Sequence, residues 1–237
     1  MAGSILVTGH SSGLGRGFTE VYLQRGWRVY GLSRRGSDGL AGDLHEVGCD
    51  LADADAVAPA LERLLGDVEH LDVVILNAGV LGPIRDLAAT PVATLEEVLR
   101  INVWANKRIL DWLLARSLPV GQVVLISSGA ARVGHSGWGA YALSKATLNM
   151  LTQLYAHEFP DSQLLAVAPG LVDTAMQAEL CDPARTDATR FPSLQRLRAA
   201  RGSEAMPDPR TAAQRIADLL PELRERPSGS FLDVRDL

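Results

Sequence analysis

Short runs of aliphatic and β-branched residues alternate along this chain with longer segments of helical periodicity. The runs predict strands, and the longer segments predict helices. Because such alternation builds βαβ units, we predict an α/β fold with a doubly wound, mostly parallel sheet and helices on both faces. We place strands at 5–7, 28–32, 47–49, 71–76, 123–126, 164–168 and 231–234, and helices at 14–24, 54–65, 95–114 and 139–157.

Length and composition are typical of one globular domain. The chain has 237 residues, 47% hydrophobic and 22% charged, so we predict a single domain over 1–237. A formal net charge of -5 without a basic run argues against nucleic-acid binding. There is no signal-peptide pattern and no apolar stretch near the roughly 18 residues of a membrane span, so we expect a cytoplasmic protein. Cys49 and Cys181 are too few for a disulfide framework or a zinc site, and we predict no metal.

The stretch at about 171–210 differs from the rest of the chain. It contains four prolines, from Pro183 to Pro209, and only a weak helical pattern at 191–197. Because long connections in compact domains usually serve a function, we expect a mobile lid over a site. The alternative is an ordinary pair of surface helices.

A glycine-rich turn follows the first predicted strand and opens the first predicted helix. It reads Thr8-Gly9-His10-Ser11-Ser12-Gly13-Leu14-Gly15. Glycines at such a junction let the backbone approach a pyrophosphate, which the helix N-terminus attracts through its free amides and its dipole. The position of the turn therefore predicts a dinucleotide site in a Rossmann fold. The alternative is that the glycines serve helix-to-strand packing.

The end of the second predicted strand distinguishes between the two nicotinamide dinucleotides. An acidic residue there binds the ribose diol of NAD(H), whereas an arginine accommodates the 2′-phosphate of NADP(H). This strand ends in Ser33-Arg34-Arg35, without a carboxylate, so we predict that NADP(H) is favoured over NAD(H). The alternative is that the arginines only solvate the strand end. Asp50, after the third strand, is a candidate acceptor for the adenine amino group.

Tyr141 and Lys145 lie four residues apart near the start of a predicted helix. That spacing puts both side chains on one helix face, where the ammonium can stabilise a phenolate. A free phenol with a pKa of about 10 is a poor acid or base at neutral pH, and a nearby cation brings it towards the working range. The pair alone is common on helix surfaces. It gains weight from Ser128 after the preceding strand, because that hydroxyl can hydrogen-bond a carbonyl oxygen as it becomes an alkoxide.

Together these features resemble the short-chain dehydrogenase/reductase family over essentially the whole chain. The resemblance implies an NAD(P)-dependent oxidoreductase whose catalytic residues are Asn102, Ser128, Tyr141 and Lys145. It further implies that Asn102 helps to hold a water connecting Lys145 to solvent, that the lid follows Thr174, and that the protein forms a homodimer or homotetramer. The implied cofactor site comprises Gly9, Ser11, Ser12, Gly13, Leu14, Gly15, Ser33, Arg34, Arg35, Asp50, Leu51, Asn77, Ala78, Gly79, Tyr141, Lys145, Pro169, Gly170, Val172 and Thr174.

The chain departs from many NADPH-preferring members of that family at one position. Those members carry a basic residue within the glycine turn, where this chain has Ser12. The prediction of NADP(H) therefore depends on Arg34 and Arg35.

The second half is similar in particular to the sepiapterin reductase and benzil reductase branch, whose members reduce vicinal dicarbonyls and related ketones. The similarity lies at 128–131, 137–141, 169–177 and 231–233. It places Asp233 where an aspartate anchors the pterin in sepiapterin reductases; a strand-end carboxylate without a ligand is the alternative. Trp138 is a candidate flat wall for an aromatic substrate, or else a core residue. The predicted substrate residues are Ser128, Trp138, Tyr141 and Asp233.

We therefore expect an NADPH-dependent carbonyl reductase in which Tyr141 donates the proton to a small ketone or vicinal dicarbonyl. Because the same residues serve both reaction directions, a secondary-alcohol dehydrogenase or ketoacyl-type reductase is the first alternative. A non-catalytic NADP(H)-sensing regulator is the second. The presence of Ser128, Tyr141 and Lys145 disfavours it.

Overall fold

The computed structural model describes residues 3–182, 184 and 186–237. Pro183 and Arg185 of the predicted lid lie outside the described residues. The strands are β1 Ser4–Thr8, β2 Arg28–Ser33, β3 Leu44–Gly48, β4 Leu71–Leu76, β5 Val120–Ile126, β6 Gln163–Ala168 and β7 Ser230–Asp233. The helices are α1 Gly13–Gln24, α2 Ala54–Leu65, α3 Val92–Leu99, α4 Ala105–Ala115, α5 Gly139–Ala156, α6 Ala175–Cys181, α7 Pro192–Ala200 and α8 Pro209–Leu223.

The strands form one sheet in the order β3-β2-β1-β4-β5-β6-β7, and every pair of neighbours is parallel. The predicted α/β fold with a doubly wound parallel sheet is confirmed. Strand order reverses between β1 and β4. In open sheets of this kind the crevice at the reversal, outside the carboxyl ends of the strands, is where ligands bind.

Helices cover both faces of the sheet. On one face α2, α4 and α5 bury Leu61, Ile109 and Leu148 against the strands. On the other, α1 and α8 bury Phe18 and Ile216 in the same way. The apolar stripe of each helix meets strands that are buried on both sides, which gives two core layers and a rigid support for the carboxyl-end crevice. Within the described part of the chain, no helix is long and apolar enough to cross a membrane.

The segment at 171–210 contains two short helices, α6 and α7. They pack on Trp138, just before α5, through a third apolar cluster that includes Leu180, Phe191 and Leu194. The structure therefore contains the helix pair that we gave as the alternative, and this pair also lies beside the crevice. The assignment of the segment as a mobile lid stays a prediction.

Two helical features were absent from the sequence prediction. The first is α8, which has clear signals: Asp208 caps it by accepting bonds from the amides of Arg210 (2.9 Å) and Thr211 (3.0 Å), and Pro209 occupies its first turn. The second is a turn of π-helix at Arg100–Trp104, which interrupts the single helix predicted at 95–114. There the amide of Ala105 donates to the carbonyl of Arg100, five residues back.

Helices α1 and α8 approach each other closely at Gly17. A Cβ there would lie 2.2 Å from the carbonyl oxygen of Pro209, which is backbone and cannot move independently. We expect Gly17→Ala to lower the free energy of unfolding by about 2–3 kcal/mol, the upper range for overpacking. Chemical denaturation measures this change.

Gly48→Ala is the matched control, because a Cβ at Gly48 meets nothing within 4 Å. It should change the free energy of unfolding by less than about 0.5 kcal/mol. Equal effects of the two substitutions would contradict the close packing of α1 on α8.

Candidate active site

Thr8 ties the carboxyl end of β1 to that of β4. Its buried hydroxyl accepts hydrogen bonds from the amides of Asn77 (2.9 Å) and Ala78 (3.1 Å), and Asn77 Nδ2 donates to the Thr8 carbonyl at 3.0 Å. The glycine turn begins at the next residue. Gly9 and Gly13 have φ values of 67° and 53°, in the left-handed region that side chains disfavour. The turn is thereby folded around the crevice where the strand order reverses.

A cavity of about 310 Å³ follows this crevice. Every residue of the predicted cofactor site except Gly15 lines it. Glycine backbone at the start of α1, Arg34 and Tyr141 are all among its walls. Free helix amides, a cationic residue and a site without bulky side chains suit a dinucleotide phosphate. The residues present therefore fit a nicotinamide dinucleotide.

Gly15 packs closely against the turn. A Cβ at this position would lie 2.2 Å from the carbonyl oxygen of Gly9 and 2.6 Å from Asn77 Nδ2. Because glycine has no Cβ, α1 can begin directly against the turn. Gly15 therefore has the packing role of the alternative, and its place in the cofactor site stays a prediction, while Gly9 and Gly13 border the cavity.

Hydrogen bonds within the segment after β2 and to β3 hold that segment in place. Ser33 Oγ donates to the carbonyl of Arg35 at 2.5 Å, and the amide of Ser37 donates to Glu46 Oε2 at 3.1 Å. Glu46 in turn contacts His10 Nε2 at 2.9 Å, so a side chain of the glycine turn organises this segment through β3. Both arginines are exposed, and neither forms an ion pair among the described residues.

Tyr141 and Lys145 lie in the first two turns of α5 and line the same cavity. Lys145 is 4% exposed, which excludes the alternative of two solvated surface residues. Its Nζ donates to the carbonyl of Ile126 at 2.6 Å and lies 5.6 Å from the centre of the Tyr141 ring. Burial lowers the pKa of Lys145 to about 8. Burial raises the pKa of Tyr141, and a hydrogen bond with Ser128 partly offsets this.

Asn102 lies in the π-helical turn and is completely buried. Its side chain accepts from the amide of Val80 at 2.8 Å and donates to the Val80 carbonyl (2.8 Å) and to Ser144 Oγ (2.9 Å). It therefore clamps the segment after β4 to α5. A Cβ at Gly79 would lie 3.1 Å from Asn102 Oδ1 and 3.7 Å from Lys145 Nζ, so a glycine there keeps side-chain atoms out from between them. The water predicted at this place stays a prediction.

A second cavity, of about 620 Å³, lies beyond Tyr141 and contains all four predicted substrate residues in its walls. Ser128 lies at the carboxyl end of β5, where its hydroxyl accepts from the amide of Ala130 at 3.1 Å. The two cavities share Tyr141, Pro169 and Gly170 together with Ser127, Met176 and Gln177. The phenol of Tyr141 thus marks their junction.

Trp138 is both a core residue and a wall of the second cavity. It is 9% exposed, its ring makes an edge contact with Tyr141 at 6.0 Å between centroids, and its Nε1 donates to Ser193 Oγ at 2.7 Å. Because Ser193 belongs to α7, this hydrogen bond connects the start of α5 to the helix pair. The two readings of Trp138 are therefore compatible.

Asp233 lines the second cavity with a partner that the sequence did not predict. Arg235 donates from Nε to Asp233 Oδ1 (2.9 Å) and from Nη2 to Oδ2 (2.6 Å). These bonds, more than any other influence, hold the pKa of Asp233 below its usual range. Both carboxylate oxygens are engaged, and whether Asp233 contacts a substrate stays a prediction.

Several lining residues escaped the sequence prediction. Met176 and Gln177 border both cavities at the start of α6, and Gln177 Oε1 is buried without a hydrogen-bond partner among the described residues. The sequence contained a signal for them, since both come within three residues after Thr174. The walls of the second cavity also contain Arg132, His135, Arg196, Phe231 and Arg235. No cluster of three or more metal-binding side chains occurs within the described ranges.

Comparison with known proteins connects this geometry to a family. The family model described as short chain dehydrogenase matches residues 4–184. A benzil reductase ((S)-benzoin forming) of Bacillus cereus is 28% identical in an alignment of 253 positions, gaps included, that spans 97% of this chain and 98% of that protein.

Solved structures agree in fold. The crystal structure of a short-chain dehydrogenase/reductase from Saccharomyces cerevisiae superposes with a TM-score of 0.86 at 26% identity, covering 99% of this chain and 97% of that chain. A protein described as an NAD(P)-dependent gluconate 5-dehydrogenase from Beutenbergia cavernae, with NADP bound at low occupancy, superposes with a TM-score of 0.79 at 26% identity. That match covers 99% of this chain and 96% of the other.

The buried amine of Lys145 makes stability depend on pH in a defined direction. Its pKa is about 8 in the folded protein and 10.5 for an unperturbed lysine, so between pH 8 and 10 the unfolded chain binds more protons than the folded one. The free energy of unfolding should therefore rise with pH in this window, by up to about 1.4 kcal/mol per pH unit. Lys145→Met should lack this rise, which urea denaturation at pH 7, 8, 9 and 10 measures.

Lys107 provides the matched control. It is the other lysine of the chain and forms an exposed pair with Asp111 on α4. Lys107→Met should follow the wild-type pH profile. A parallel profile for Lys145→Met as well would show that the Lys145 pKa is not depressed.

Proposed function

This chain belongs to the short-chain dehydrogenase family and is an NAD(P)-dependent oxidoreductase, and on that basis we propose that it is an NADPH-dependent carbonyl reductase of small ketones and vicinal dicarbonyls. The observation that carries the proposal is the position of Tyr141. Its side chain lines both the first and the second cavity, and Ser128 lies beside it in the wall of the second. The oxygen of a carbonyl group bound at this junction accepts hydrogen bonds from the hydroxyls of Tyr141 and Ser128.

A bound nicotinamide cofactor supplies the hydride for this reaction. Tyr141 supplies the proton to the carbonyl oxygen. Because burial raises its pKa, the phenol is protonated at neutral pH and is ready to donate, which suits reduction. Ser128 donates a hydrogen bond to the same oxygen and stabilises the negative charge that develops on it.

Lys145 stabilises the phenolate that remains after proton transfer. With a pKa of about 8, the amine is mostly charged at neutral pH, and its bond to the Ile126 carbonyl fixes it beneath the Tyr141 ring. Asn102 acts one step further away by fixing Val80 and Ser144 around it. The four residues thus form one proton-transfer site with a buried cation.

The substrate class follows from the second cavity and from the relatives. Its walls include the aromatic rings of Trp138 and Phe231 and the aliphatic side chains of Leu81, Leu171 and Leu197, which favour a flat, largely apolar ketone. The similarity to benzil reductase over the full chain favours a vicinal dicarbonyl. A secondary-alcohol dehydrogenase uses the same residues in reverse. A non-catalytic regulator would not need the buried Lys145.

The cofactor preference is part of the same proposal. Ser33 leaves the end of β2 without a carboxylate, and the exposed guanidinium groups of Arg34 and Arg35 line the cavity there. A planar guanidinium binds a 2′-phosphate through paired hydrogen bonds. These residues support NADP(H) over NAD(H).

Assembly as a homodimer or homotetramer in the cytoplasm completes the proposal. Trp104, beside α4, and Leu143, Met150 and Leu154 on α5 are 42–56% exposed. Large apolar side chains that are exposed on neighbouring helices favour a contact between copies of the chain.

Replacing Tyr141 by Phe removes the proton donor and retains the ring. We expect Tyr141→Phe to lower kcat for benzil by about 10²- to 10⁴-fold while the dissociation constant for NADPH changes little. NADPH absorbance measures turnover, and cofactor fluorescence measures binding. Tyr155→Phe is the matched control, since Tyr155 lies on the same helix and its hydroxyl bonds to Asp111 instead. Retained turnover in Tyr141→Phe would overturn the proposed role.

Replacing Arg34 by Asp tests the cofactor preference. We expect Arg34→Asp to weaken NADPH binding by about 10- to 100-fold, the worth of a charge-assisted hydrogen bond, and to leave NADH binding unchanged or improved. Dissociation constants for both cofactors, measured by fluorescence titration, give the ratio. Arg226→Asp makes the same charge change beside the amino end of β6 and should leave the ratio unaltered. An unchanged ratio in Arg34→Asp would remove the basis for the NADP(H) preference.

A further inference from the structure

The walls of the second cavity carry an excess of positive charge. Three guanidinium groups line it, against the two carboxylates of Asp233 and Asp236. Resting on the proposed carbonyl reductase function, we propose that the substrate carries a carboxylate in addition to its reacting carbonyl, and that Arg132 and Arg196 bind this carboxylate. The preferred substrate is then an oxo acid, in which a flat apolar body joins the two groups.

Arg132 is held in place for such a role. It follows the short turn Gly129–Ala131 that begins at Ser128, and its amide donates to the carbonyl of Gly129 at 3.0 Å. Its guanidinium stacks on the ring of Phe231, 5.5 Å from the ring centre. A cation–π contact of this kind holds the guanidinium beside the ring, and a guanidinium has five N–H donors for other partners. A cation is thus positioned one short turn from the hydroxyl that contacts the carbonyl oxygen.

Arg196 approaches the same cavity from the helix pair. It is an exposed residue on α7, between Ser193 and Leu197, which also line the cavity. Trp138 bonds to Ser193 at 2.7 Å and so fixes α7 against the start of α5. Two cations therefore reach the cavity from two separate elements, Arg132 from the turn after β5 and Arg196 from α7.

Among the described residues, neither Arg132 nor Arg196 has a carboxylate within ion-pair distance, and Arg132 acts on Asp233 only at longer range. Asp233, the carboxylate that Arg132 influences, uses both oxygens on Arg235, at 2.6 and 2.9 Å. Elsewhere on the surface, exposed arginines such as Arg190 and Arg25 do have carboxylate partners. A carboxylate from the substrate is the partner that the cavity lacks.

The chemistry selects a carboxylate over a neutral polar group. A guanidinium donates through parallel N–H groups that match the two oxygens of a carboxylate, and an ester offers neither the charge nor the second equivalent oxygen. Both arginines are partly solvated, so each contributes modestly, by up to about fivefold in affinity. Together they give a preference of about tenfold.

A matched ligand series tests the proposal: benzil, benzil with a para-carboxylate, and the methyl ester of that acid. Dissociation constants are measured by calorimetry in the presence of NADP⁺, where ketones bind without turnover. We expect the acid to bind about tenfold more tightly than its ester at low salt, and the difference to shrink as salt is added. Turnover of the same three compounds is followed separately with NADPH.

Charge-removing variants locate the effect. Arg132→Gln and Arg196→Gln should each weaken binding of the acid by about threefold and leave binding of the ester unchanged. Arg226→Gln, outside both cavities, is the control and should leave both constants unchanged. Because Arg132 and Arg196 are exposed, the variants keep the apolar core intact, and the salt dependence of the wild type gives the same answer without any substitution.

The two levels of the proposal fail separately. If the acid binds no more tightly than the ester, or does not bind, the carboxylate site is overturned, whatever the turnover measurements give. If none of the three ketones is reduced, the carbonyl reductase function for this substrate class is overturned, and the dissociation constants still decide on the carboxylate site. A preference for the acid that persists unchanged in both arginine variants would also overturn the assignment to Arg132 and Arg196.

Discussion

The hydroxyl of Thr8 is the contact on which the arrangement of the crevice depends. It accepts the amides of Asn77 and Ala78, while Asn77 returns a bond to the Thr8 carbonyl. These bonds join β1 and β4, the two strands between which the sheet reverses its order. The glycine turn starts on one side of this joint and the segment with Gly79 and Val80 on the other. Because these groups are buried, breaking the bonds would leave a hydroxyl or an amide without a hydrogen-bond partner and without water. That penalty helps to keep the two strands joined.

Local sequence patterns were sufficient for the sheet and for the first cavity. Runs such as Leu71–Leu76 and the glycine turn can each be recognised from a few consecutive residues. Of the 20 predicted cofactor residues, 19 line one cavity. The exception, Gly15, shows the limit of that reasoning. A glycine that borders a ligand and a glycine that admits a neighbouring backbone look the same in a sequence.

Contacts between distant segments were beyond the sequence. The pairing of Asp233 with Arg235, the stacking of Arg132 on Phe231 and the bond from Trp138 to Ser193 all depend on how loops return over the sheet. The omission of α8 is different, because Asp208 and Pro209 are ordinary helix-start signals. The prolines just before α8 favoured the prediction of a loop, although the residues of α8 have the regular apolar pattern of a helix.

The π-helical turn at Arg100–Trp104 has a consequence for how this gene can vary. One additional residue in a turn rotates everything after it by about 100° relative to a regular helix. Asn102 reaches Val80 and Ser144 from within this turn, and α4, which follows it, buries Ile109 and Leu113 in the resulting phase. A point substitution on the exposed side of the turn leaves the helical phase unchanged. Deletion of a single codon would change it, and so would displace both the Asn102 side chain and the buried face of α4. The stretch should therefore be conserved in length more strictly than in composition.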